Sequence, residues 1–123
     1  MPRRSDAEAG QPVTSNHLMD IVLQHIAKQA EALAKKLFQQ YAQQAVHDVK
    51  DYLEAAKSDL KRWKDELARH QIDKDEFRSL VRGQIDVREM RALKQAGLGQ
   101  VQIDRFTDGL FDTVVSAVIA AIP

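Results

Sequence analysis

Apolar residues recur at intervals of eleven along the first two thirds of the chain. Met19, Ala30, Tyr41, Tyr52 and Trp63 form one column, and Leu23, Ala34, Ala45, Ala56 and Leu67 a second. Ala27, Phe38, Val49 and Leu60 form a third. Eleven residues make three turns at 3.67 residues per turn, close to the natural 3.6, so the columns share one face of a nearly straight helix. Between Pro12 and Gly83 there are seventy residues without glycine or proline. Those two residues cost about 1 and 3 kcal/mol in a helix interior, so nothing in this stretch interrupts the pattern. The pattern predicts one very long helix over about 16–70, opened by one of the N-cap types Thr14, Ser15 or Asn16. The alanines of the second column allow a partner helix to approach at the short end of the usual range.

The positions off the stripe divide the helix in two. From His17 to His47 they are mostly neutral glutamines, and from Asp48 to Arg69 they are dense in charge. The charged half offers the i,i+4 pairs Lys50–Glu54, Lys61–Asp65, Arg62–Glu66 and Asp65–Arg69, the pattern of a solvated face.

A repeat follows. Residues 71–80 and 84–93 share the pattern Q-I-D-x-x-E-[FM]-R-x-L. Asp73 and Asp86 read as N-caps, with Glu76 and Glu89 completing capping boxes. Ile72 with Phe77, and Ile85 with Met90, read as hydrophobic staples. Gly83 and Gly97 stand where a glycine ends a helix. The repeat therefore predicts two short helices, about 73–82 and 86–96. A third Gln102-Ile103-Asp104 opens a last helix over 103–122. Its stripe is Ile103, Phe106, Leu110, Val114, Val118 and Ile122, and its final turns are apolar nearly all round.

Leu60-x-x-Trp63-x-x-x-Leu67 followed by Ile72-Asp73-x-x-Glu76-Phe77 resembles the SHOCT short C-terminal domain, a helix–turn–helix pattern associated with oligomerisation. The resemblance covers about twenty residues and departs at the turn, where His70-Gln71 replaces the usual glycine.

Composition narrows the function. Lys plus Arg and Asp plus Glu are both 18, so the net charge is zero. That argues against a nucleic-acid binder, which shows a basic excess. With no cysteine there is no disulfide framework, thiolate metal site or thiol nucleophile, which fits a cytoplasmic protein. His47 with Asp51 and Glu66 with His70 are i,i+4 pairs that supply half a metal site at best. No nucleophile elbow, phosphate loop or calcium loop is present, so no catalytic, cofactor-binding or metal residue is assigned.

A helix of some 55 residues is about 80 Å long, which the remaining helices are too short to cover within one chain. A hairpin would need a breaker, and Ser58-Asp59 is the best site for one. The expectation is therefore an all-α protein with a flexible arm over 1–15 and a single domain over 16–123, its bundle completed by oligomerisation. The partner is expected to be a second copy, most simply in a two-fold dimer. Met19, Ala30, Ala34, Tyr41, Ala45, Tyr52, Ala56 and Trp63 would form the seam. Phe106, Leu110, Val114 and Val118 would pack the last helix on it. The function so implied is a non-enzymatic scaffold or adaptor engaging another protein. The alternative is a peripheral membrane protein using the apolar last helix, disfavoured by the acidic Asp108 and Asp112 beside it.

Overall fold

A computed structural model describes residues 14–122, with side chains from His17 onward. The expected arm over 1–15 lies almost wholly outside the described residues. Every regular element among those described is helical. Helix α1 spans Thr14–Phe38, and α2 spans Ala42–Ala68. Helix α3 spans Lys74–Asp86, α4 Arg91–Gln95, and α5 Gln100–Ala120.

Residues 14–68 are helical as the periodicity predicts, but they form a hairpin and not a rod. Between α1 and α2 lies a 3-10 turn at Gln39–Tyr41, with Gln39 in the left-handed region at φ 45°. The reversal brings Asp20 of α1 to 2.9 Å from Lys57 of α2. A left-handed residue other than glycine costs roughly 1–2 kcal/mol. Burying a single large aliphatic side chain contributes about 1.5–3 kcal/mol, so a handful of facing stripe residues outweighs the turn. Ser58 and Asp59 lie inside α2 and do not break it.

The hairpin corrects the expected dimer seam. Met19, Ala30, Ala34, Ala45, Tyr52, Ala56 and Trp63 are all buried within one chain, and Tyr41 is half-buried in the turn itself. The stripe needs no second copy because its two halves and α5 cover it. Helix α1 packs on α2 and α5, α2 on α3, and α3 on α5. Consecutive long helices run antiparallel, giving a four-helix up-and-down bundle. Short α4 closes one end against α2 and α5.

Phe106, Leu110, Val114 and Val118 of α5 are fully buried. Phe106 meets Phe38 with ring centroids 5.5 Å apart, tilted by 53°. Gly109 sets the spacing of α5 and α1. A Cβ at this position would stand 2.5 Å from Leu33 Cδ2, so a larger residue would push the helices apart or displace Leu33. No helix among the described residues is long and apolar enough to cross a membrane.

The two halves of the repeat fold differently. Asp73 caps α3 as expected: its carboxylate accepts from Glu76 N at 2.7 Å, and Glu76 accepts from Asp73 N at 2.9 Å. Asp86 caps nothing. Helix α3 runs through Gly83 and ends at Asp86, because Val81 and Ile85 continue the buried face begun by Phe77. Burying Ile85 is worth more than the ~1 kcal/mol that an internal glycine costs. The next helix is therefore delayed to Arg91, behind a left-handed Met90 at φ 46°.

Gly97, at φ 97°, ends α4 as expected. Leu98 N donates to Leu93 O and Gly97 N to Lys94 O, the two bonds of a Schellman motif. His70 ends α2 in the same way at φ 61°, with Gln71 N on Glu66 O and His70 N on Leu67 O. Helix α5 starts four residues before Asp104. Gly99 is extended and takes the N-cap position, and Gln102 Oε1 accepts its N–H at 3.3 Å.

Candidate functional site

The end of the bundle where α2 finishes and α3 begins carries a concave apolar surface. The Schellman turn at His70 and the capping box at Asp73 fix a tight connection between the two helices. Helix α5 finishes beside this connection, leaving a cleft of about 580 Å³. Leu67, Ile72, Ile119 and Ile122 supply its apolar lining; His70, Asp73, Lys74 and Glu76 are its charged or titratable residues. A second, shallower cleft shares Ile72, Asp73 and Glu76, and extends along α3 to Asp75, Ser79 and Leu80. The second cleft is lined by three carboxylates and no basic side chain. Leu80 is 38 % exposed, so a large aliphatic group lies open to solvent beside that acidic rim.

Elsewhere the polar groups work on the fold. Asp48 on α2 is buried, and its two carboxylate oxygens accept from Ala92 N and Leu93 N, each at 2.9 Å. It caps α4 from another helix, the role the repeat pattern assigned to Asp86. Tyr52 is also buried, and its hydroxyl donates to Gln84 Oε1 at 2.8 Å. Burial pushes the Tyr52 phenol well above its ordinary value, and nearby Arg88 offsets part of this. A further cleft of about 430 Å³ runs past Asp48 and Tyr52 between α2 and the Val87–Arg91 segment.

On the α3–α5 seam Arg82 binds Asp108 at 2.8 Å and Asp86 at 3.2 Å. The hydrogen bond to Asp108 is the main cause holding its guanidinium above the ordinary value. Arg78 and Arg82 both lie over the Phe111 ring, 5.4 and 5.3 Å from its centroid. These contacts pin α3 to α5 and so support the acidic cleft at the start of α3.

His47 Nε2 lies 3.5 Å from Asp51 Oδ2 on an exposed face. Among the described residues no three His, Asp or Glu side chains come together as metal ligands. Of the pairs expected along the charged half, Arg62 turns instead to Asp59 at 3.1 Å.

The end cleft escaped the sequence reading. Ile72 is assigned there to a staple, Leu80 to the repeat and Ile122 to the last helix's stripe, and only the folded bundle places them at one end together with Ile119. No family model, curated protein or solved structure matches the chain.

Proposed function

We propose that this protein is a non-enzymatic helical adaptor that docks a basic, apolar segment of a partner protein at the α2–α3 end of its bundle. The observation that carries the reading is the pairing of Leu80 and Ile72 with the carboxylates of Asp73, Asp75 and Glu76 around one concave surface. Helix-in-groove recognition uses such surfaces: apolar anchors enter the groove, and opposite charges on the rim set orientation. Val87 and Val101 are more exposed, at 76 and 74 %, but single exposed apolar residues are ordinary on a protein surface. The membrane reading is weakened by the bundle, because the apolar face of α5 is turned inward.

Fluorescence anisotropy with labelled model peptides tests the reading. An amphipathic Leu/Lys peptide should bind, and its Leu/Glu counterpart should not. Asp75→Lys and Leu80→Lys alter exposed residues that make no described core contact, and each should abolish binding while helicity is kept. Equal binding of both peptides, or of neither, would reject the proposed partner chemistry.

A further inference from the structure

The cleft also lies within reach of the chain's own first residues. Helix α1 starts at the end of the bundle that carries the cleft. The Asp20–Lys57 ion pair marks its register against α2, and six residues further back Thr14 stands level with the last turns of α2. The described chain therefore begins at the same end of the bundle as Leu67 and the turn that follows it. Ten residues separate Arg4 from Thr14, a span of at most about 33–36 Å when extended. That is wider than the end of a four-helix bundle, whose neighbouring axes lie about 8–10 Å apart.

The order of charges in this segment matches the order along the cleft. Asp6 and Glu8 lie closer to α1, and Arg3 and Arg4 further out. Asp73 and Glu76 line both clefts; the near one adds His70 and Lys74, whereas the far one adds Asp75 and has no basic residue. The segment also contains the apolar residues Met1, Pro2, Pro12 and Val13.

We propose that residues 1–13 fold back over the α2–α3 end of their own bundle, with Arg3 and Arg4 on the carboxylates of Asp73, Asp75 and Glu76. Tethering supplies what the short segment lacks in affinity. A short flexible linker holds its end at an effective concentration in the millimolar range, so millimolar intrinsic affinity suffices for substantial occupancy. The occupant has the basic and apolar character of the partner proposed above, so it competes with that partner. This consequence rests on the adaptor reading, whereas the intrachain contact itself does not.

The absence of cysteine permits a single spin label in the full chain, at Ala7→Cys. Methyl NMR then reads the label's broadening of Ile72, Leu80 and Ile119, with Val87 and Val101 at the opposite end as internal references. Broadening should be strong at the first three and absent at the two valines. Arg3→Glu with Arg4→Glu should weaken it at Leu80 by at least about twofold, as should raising the salt to 1 M, where the Debye length is about 3 Å. Broadening that is indifferent to charge reversal and to salt would overturn the proposal, because a segment merely sweeping past would give that result. Broadening that grows with protein concentration would overturn it in favour of a second copy. Failure here leaves the peptide-binding test of the adaptor reading unaffected.

Discussion

Asp20 and Lys57 form an ion pair at 2.9 Å although 37 residues separate them in the sequence. In a continuous helix they would stand about 55 Å apart. Both side chains are about half exposed, so the bridge contributes little stability, but it reports where the chain reverses.

The reversal depends on Gln39, and its left-handed backbone gives a test by sign. Glycine adopts positive φ without steric cost, so Gln39→Gly should stabilise the protein by about 1 kcal/mol in urea denaturation. Were residues 16–70 one rod, the same change would place glycine mid-helix and destabilise by about the same amount.

The hairpin also predicts the solution mass. With the alanine seam closed inside one chain, light scattering at micromolar concentration should give the 13.9 kDa of a monomer. Ala45, fully buried, should then tolerate no carboxylate: Ala45→Glu should lower the unfolding midpoint and leave the mass of the folded fraction unchanged. A dimer mass that Ala45→Glu halves would restore the intermolecular seam.

The rod and the hairpin were indistinguishable in the stripe for a geometric reason. The columns repeat with spacings of four, four and three, a pattern that is its own mirror image about the centre of each three-residue gap. About Gln39 and Gln40 it pairs Met19 with Leu60, Leu23 with Ala56, Ala27 with Tyr52, Ala30 with Val49 and Ala34 with Ala45. A stripe that suits a straight helix therefore also suits one folded at such a gap, and no glycine or proline marks which gap turns. What was legible was local: the α3 capping box, Gly97 as a terminator, and the buried face of α5. The α4 cap was not legible, because its acceptor is Asp48, more than forty residues away.

The repeat yields a paired comparison. Asp73→Ala removes a working N-cap and should cost about 1 kcal/mol. Asp86→Ala removes only an exposed partner of Arg82 and should change stability by less than about 0.5 kcal/mol. Equal costs in thermal or chemical unfolding would mean that the second repeat also caps a helix.

Tyr52 should make the fold sensitive to strong alkali. Its phenol pKa is raised by burial, so the folded state holds the proton more tightly than the unfolded one. Its contribution is fully present below the unfolded value near 10 and declines above it, by up to about 1.4 kcal/mol per pH unit. Tyr52→Phe should lose the hydrogen bond to Gln84 yet flatten stability against pH above 10. An unchanged slope in the variant would assign the alkaline loss to other groups.

Asp48 should be the most consequential polar residue in the chain. Helix α4 has five residues, too few to hold itself together in water, and its entry passes through the left-handed Met90. Two backbone N–H groups at its start have the Asp48 carboxylate as partner, and Leu93 beside them is fully buried. Asp48→Ala leaves both donors without an acceptor and should cost roughly 2–4 kcal/mol. Asp48→Asn keeps one acceptor oxygen and should cost about half as much. The loss should be local before it is global. Hydrogen exchange should quicken across residues 88–99 while the buried helices of the 14–68 hairpin keep their protection. Loss of less than about 0.5 kcal/mol in Asp48→Ala, the ordinary value for a surface change, would show that α4 is held by Leu93 and Met90 alone.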